Sequence, residues 1–116
     1  MLALPLALLG AALAAAEVPE LSVAATDPSG ASLPELAQAV GRALAATGAR
    51  LSDACGEECV RLRVLTLRPG RYRVEVVQGA RSATTTVDLP PEASLLERAR
   101  ALAIEARLLI TWPLRA

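Results

Sequence analysis

Cys55 and Cys59 sit in the stretch DACGEECV, residues 53–60, beside Asp53, Glu57 and Glu58. Sulfur and carboxylate at this spacing can serve a metal ion, a redox pair or a structural crosslink. A metal fits poorly, because zinc favours nitrogen and sulfur ligands and two thiolates without histidine would have to recruit carboxylates. A redox pair fits no better: C-x3-C misses the C-x2-C of thioredoxin-like motifs, and acidic neighbours disfavour the reactive thiolate. The pair therefore reads as a structural disulfide, with free thiols and redox or metal chemistry as the alternatives. Gly56 lends the small ring backbone freedom. Closing it restricts the unfolded chain by roughly 2 kcal/mol. Asp53, Glu57 and Glu58 read as solvated loop charges, since adjacent glutamates in a short loop rarely face a common cleft.

The side chains that are missing exclude whole classes of chemistry. All twelve basic residues are arginine, and the chain has no lysine, histidine or phenylalanine. A serine or cysteine nucleophile would lack a histidine or lysine base. Schiff-base catalysis and a P-loop lysine are equally ruled out, as are zinc sites built on imidazole. The expectation is a protein that is not an enzyme, with no catalytic residue, no metal and no cofactor.

The elements that must carry these residues begin after MLALPLALLGAALAAA, residues 1–16, which hold no charged side chain. That stretch is too short to span a bilayer as a helix and ends in small residues, the pattern of a secretory signal cleaved after Ala16. Its one departure is an n-region without lysine or arginine. Residues 17–116 then form a single domain, with no membrane span after cleavage and a periplasmic or secreted location. An oxidising compartment favours the disulfide.

Within that domain, residues 17–26 read as a strand with Leu21, Val23 and Ala25 on one side. DPSGAS, residues 27–32, is a loop. Ser32-Leu-Pro-Glu35 has the form of a capping box with proline in the first turn. It predicts a helix carrying Leu33, Leu36, Val40 and Leu44 and ending at Gly48. ARLSD offers a short edge strand. Residues 60–68, 71–78 and 83–89 alternate as strands and form a three-strand meander. A long helix from about residue 92 to 110 follows, with Leu95, Ala99, Leu102, Ala103, Ala106, Leu109 and Ile110 along one stripe and Trp112-Pro113 at its end. The expected fold is α+β in two layers, an antiparallel-rich sheet with two helices on one face, in the order β-α-β-β-β-α.

Charge is segregated along this chain although it sums to zero. Residues 17–58 hold seven acids and two arginines, whereas residues 59–81 hold six arginines and one glutamate. Which way the arginines point depends on the hairpin register, because a one-residue slip reverses every side chain. Pro69-Gly70 favours a type II turn, whose twist suits a two-residue hairpin poorly, so a longer loop is expected. An odd count puts Leu62, Val64 and Thr66 with Tyr72, Val74 and Val76 and makes Arg61, Arg63 and Arg73 converge on the opposite face. An even count separates Arg61 and Arg63 from Arg73. The odd count is preferred because it keeps arginine off the apolar face. Arg61, Arg63, Arg71 and Arg73 are then the candidate anion-binding residues, able to grip phosphate or carboxylate through bidentate hydrogen bonds. The plainer reading is a solvated face balanced by the acidic half. Nucleic acid is not an expected partner, since export removes it and only Tyr72 and Trp112 could stack on bases.

Residues 84–114 resemble the end of a group of uncharacterised exported α/β proteins from myxobacteria and related bacteria. In these a strand ending in V-D-L leads into a helix of the form R-x-x-x-L-A-L-A-I-A-E-L and then a tryptophan. Val87-Asp88-Leu89, Arg98, residues 101–104 and Trp112 carry the likeness, and Cys59 fits an upstream cysteine. Arg100 and Arg107 depart from it. The resemblance implies a periplasmic or cell-envelope setting and no particular activity. The arrangement is also similar, as architecture only, to the small N-terminal domain of the Tol-Pal translocation protein, which acts through contacts. Together these readings give an exported cell-envelope accessory or interaction domain without catalytic activity, the alternative being a binding module for an anionic envelope ligand. The partner would be another envelope protein or an anionic polymer, and the oligomeric state is left open.

Overall fold

A computed structural model describes residues 20–52, 56 and 59–114, the side chains of 111–114 excepted. The leading segment, the proposed cleavage point, Cys55 and the loop acids Asp53, Glu57 and Glu58 lie outside the described residues, as does the side chain of Trp112. The elements run β1 (Glu20–Thr26), α1 (Pro34–Ala45), β2 (Arg50–Leu51), β3 (Val60–Arg68), β4 (Arg71–Gln78), β5 (Arg81–Asp88) and α2 (Leu95–Leu114). The strands form one mixed sheet in the order β2-β1-β3-β4-β5. β1 is parallel to both β2 and β3, and the meander β3-β4-β5 is antiparallel. This is the expected α+β fold, with ARLSD supplying the short edge strand β2.

Period-two alternation decides which side of the sheet is wet. Leu21 and Ala25 of β1, Val60, Leu62 and Val64 of β3, Tyr72, Val74 and Val76 of β4 and Val87 of β5 are buried on one face. Both helices cover that face: Leu36, Val40 and Leu44 from α1 and Ala99, Leu102, Ala103 and Ala106 from α2 complete a single core. The two helices also pack against each other. Leu33, Leu95, Leu109 and Ile110, the other members of the apolar stripes read from helical spacing, are half-buried against this core. Gly41, also buried in α1, adds a close approach, since a Cβ there would come within 3.2 Å of Leu51 Cδ1.

The helix starts differ from the sequence reading. α1 is preceded by Leu33 rather than Ser32, and no side chain caps it. Ser32 instead bridges to Thr26, and Leu33 N–H donates to the Ala25 carbonyl at 2.8 Å. The loop before α1 is thereby tied to the sheet, which overrides the local capping box. Within that loop the Asp27 carboxylate accepts from Ser29 N–H and Oγ and from Ala31 N–H. α2 begins at Leu95, the first residue of its apolar stripe, three residues later than the expected start near residue 92. Residues 90–93 close a turn, and Ser94 Oγ accepts from Glu97 N–H at 3.1 Å. At its far end the helical backbone continues past Trp112-Pro113 to Leu114; a proline removes one helical hydrogen bond, which a last turn can forgo.

Candidate functional site

The arginine hairpin is the feature the sequence singles out, and its register is set at the turn. Arg68 pairs with Arg71, so Pro69-Gly70 form a two-residue turn, and the register shifts between Thr66 and Arg68. The longer loop expected from the turn type is not formed; a bulge takes its place. It leaves five residues between the paired Thr66 and Tyr72, an odd number, so the inward and outward sets fall as the preferred reading had them. Gly70 makes this turn possible. It has φ of +85°, a Cβ there would lie 2.7 Å from the Leu89 carbonyl oxygen, and its own carbonyl accepts from Leu89 N–H at 2.7 Å.

Arg61, Arg63 and Arg73 are therefore exposed on the face of the sheet that neither α1 nor α2 covers, and Arg71 is half-buried there. They share that face but do not converge. Arg61 stands opposite Val77, Arg63 opposite Glu75, and Arg73 opposite Leu65 and Thr86. Arg61 and Arg73 are thus separated by about four residues of strand, roughly 14 Å. Two of the four candidates are already paired: Arg63 Nη1 lies 3.2 Å from Glu75 Oε1, and Arg71 Nε lies 3.6 Å from Asp88 Oδ1. Both pairs are solvent-accessible and each is worth at most about 1 kcal/mol.

Arg61, Arg68 and Arg73 make no side-chain hydrogen bond or ion pair among the described residues. Arg68, outside the candidate set, stands directly opposite Arg71 at the hairpin tip. Like charges so placed oppose each other. The arrangement is an extended row of guanidinium groups with Glu75 and Asp88 set into it, suited to many weak contacts along a polymer or protein surface rather than to enclosing a small ligand.

The other residues singled out by sequence fall elsewhere. Cys59 is buried at the start of β3, and its N–H donates to the Gly56 carbonyl at 3.2 Å. Tyr72 is 4% exposed, so its ring is not free to stack on a base or sugar. Its hydroxyl accepts from Arg98 Nη1 at 3.4 Å across the helix–sheet interface. Beside it, Thr66 Oγ1 and Arg98 Nε are buried without a partner. Sequence gave no signal for this polar cluster, because Arg98 lies on the flank of α2 and only tertiary packing brings it to β4. Among the described residues no group of three histidine, cysteine or carboxylate side chains could hold a metal, and no helix is long and apolar enough to cross a membrane. Comparison of the chain with protein-family models, with curated proteins and with solved structures finds no match.

Proposed function

We propose that this chain is an exported interaction domain of the cell envelope, without catalytic activity, that meets its partner through the helix-free face of its sheet. The observation that carries the reading is the division between the two faces. One is closed by both helices over a single apolar core, while the other is covered by neither α1 nor α2 and is lined by Arg61, Arg63, Arg71 and Arg73. A charged sheet face that neither α1 nor α2 covers suits surface contact. The absence of lysine and histidine from the chain supports the non-catalytic part. Export rests on the apolar leader and on the resemblance of residues 84–114 to exported proteins. The proposed Cys55–Cys59 disulfide agrees with it, since an oxidising compartment favours such a bond.

A second reading, a module for an anionic envelope ligand, is favoured by Arg61, Arg68 and Arg73, which have no carboxylate of their own among the described residues. Unpaired exposed guanidinium groups are available to phosphate or carboxylate without first breaking an ion pair. Binding to long-chain polyphosphate and to polyglutamate, followed from low to high salt, tests it. The expected result is binding that weakens steeply with salt, as screening demands, and that is lost in Arg61→Glu/Arg73→Glu. Absent or salt-insensitive binding removes the anionic reading and leaves contact with a protein partner.

A further inference from the structure

The sheet has two edges, and they are unlike. At one, β2 is only two residues long, Arg50–Leu51. Short edge strands offer little to an incoming chain. At the other, β5 runs for eight residues and, among the described residues, pairs only with β4. Its interior, Ser82-Ala-Thr-Thr-Thr-Val87, has no proline and no charged side chain, and its pairing with β4 runs without a register shift from Arg71↔Asp88 to Gln78↔Arg81. None of the usual devices that blunt an edge is present within it.

The core is also unfinished along this strand. Thr85 and Ala83 lie on the helix-covered face opposite Val74 and Val76. Their partners are 0% and 2% exposed, yet both remain half-buried. The helical layer closes over β4 and, of β5, buries only Val87.

We infer that β5 is the seat of a two-fold dimer with a second copy of this chain, the two β5 strands pairing antiparallel into one ten-stranded sheet. A two-fold axis normal to the sheet can only bring together residues of the same face, which limits the register to even steps. With the axis at Thr85, Thr84 meets the partner's Thr86 and Ser82 meets the partner's Asp88 on the open face. On the covered face Ala83 meets the partner's Val87 and Thr85 meets its own copy. Hydroxyl–hydroxyl, hydroxyl–carboxylate and apolar pairs result, with no like charges opposed. A second copy therefore satisfies β5 on both faces at once. It also places both arginine-lined faces on the same side of the enlarged sheet, so a polyanion could engage the two together.

Sedimentation velocity across a concentration series, on the chain as its native host processes it, tests the dimer. Thr84 and Thr86 are exposed and stand opposite Glu75 and Arg73 on the face away from the core, so substitutions there should spare the fold, which far-UV circular dichroism checks. Wild type is expected to associate reversibly. Thr84→Lys/Thr86→Lys, which sets lysine against lysine twice across the axis, should weaken association on the order of tenfold. Thr84→Lys/Thr86→Glu, which sets lysine against glutamate twice, should associate as wild type does. A monomeric wild type overturns the inference, as does equal behaviour of the two variants. Amide exchange gives an independent reading: slower exchange in residues 82–88 at high concentration supports the strand pairing, and concentration-independent exchange there overturns it.

Discussion

Replacing Gly70 with alanine strains the hairpin tip in two separable ways, and Gly30→Ala isolates one of them. Both glycines have positive φ, +85° at Gly70 and +91° at Gly30, so alanine at either carries a left-handed backbone penalty of about 1 kcal/mol. At Gly30 the added methyl meets nothing within 4 Å, whereas at Gly70 it meets the Leu89 carbonyl oxygen at 2.7 Å. That oxygen is backbone and cannot swing aside, so the turn must open away from the segment that follows β5. Opening it strains the hydrogen bond from Leu89 N–H to the Gly70 carbonyl, worth about 1 kcal/mol net. Gly70→Ala should therefore destabilise by about 2–3 kcal/mol and Gly30→Ala by about 1 kcal/mol. For a domain of this size the difference, about 1–2 kcal/mol, corresponds to a melting temperature lower by about 4–16 °C in Gly70→Ala than in Gly30→Ala. Thermal and guanidinium denaturation of the two variants in parallel measures it. Equal destabilisation would refute the close approach at the turn, and with it the reason why a bulge, rather than a longer loop, sets the register.

Two further expectations follow from burial and charge. Leu102→Ala, at a position with 0% exposure between α2 and the sheet, should cost about 2–5 kcal/mol through lost burial and a cavity. Ile104→Ala, two residues along the same helix at 62% exposure, should stay within about 0.5 kcal/mol by chemical denaturation. The Asp27 carboxyl is held below its ordinary value, first by the Ser29 hydroxyl and then by Ala31 N–H. A lowered folded-state pKa gives a contribution present above the unfolded value of 3.8 and lost as pH falls through the folded one. Between pH 5 and pH 2 the stability of Asp27→Ala should accordingly fall less than that of wild type; an equal fall of the two in parallel acid titrations would refute the loop geometry.

The anionic reading and the dimer can be judged apart. The first is read in the salt dependence of polyanion binding and in Arg61 and Arg73, whereas the second is read in self-association and in Thr84 and Thr86. A monomer that binds polyphosphate would keep the former and lose the latter. A dimer indifferent to polyanions would do the reverse.

Element types and the buried stripes were legible in the sequence because they depend on local period. Alternation in residues 60–68 and 71–78 and the spacing of Leu36, Val40 and Leu44 each leave only one face that can be buried. The lack of histidine and lysine likewise limits the chemistry before any fold is known. Tertiary structure decided what local period leaves open. It determined that β1 sits between β2 and β3 in parallel, that Ser32 bridges to Thr26 instead of capping α1, and that Pro69-Gly70 turns in two residues with a compensating bulge. It also set Glu75 beside Arg63 and Asp88 beside Arg71, and brought the Arg98 guanidinium to the Tyr72 hydroxyl, although 26 residues separate that last pair in the chain. The physical reason is common to all of these. Facing direction follows from the backbone's own period, whereas strand neighbours, turn compensation and cross-strand charge partners depend on contacts between distant segments, whose energies emerge only when the core closes.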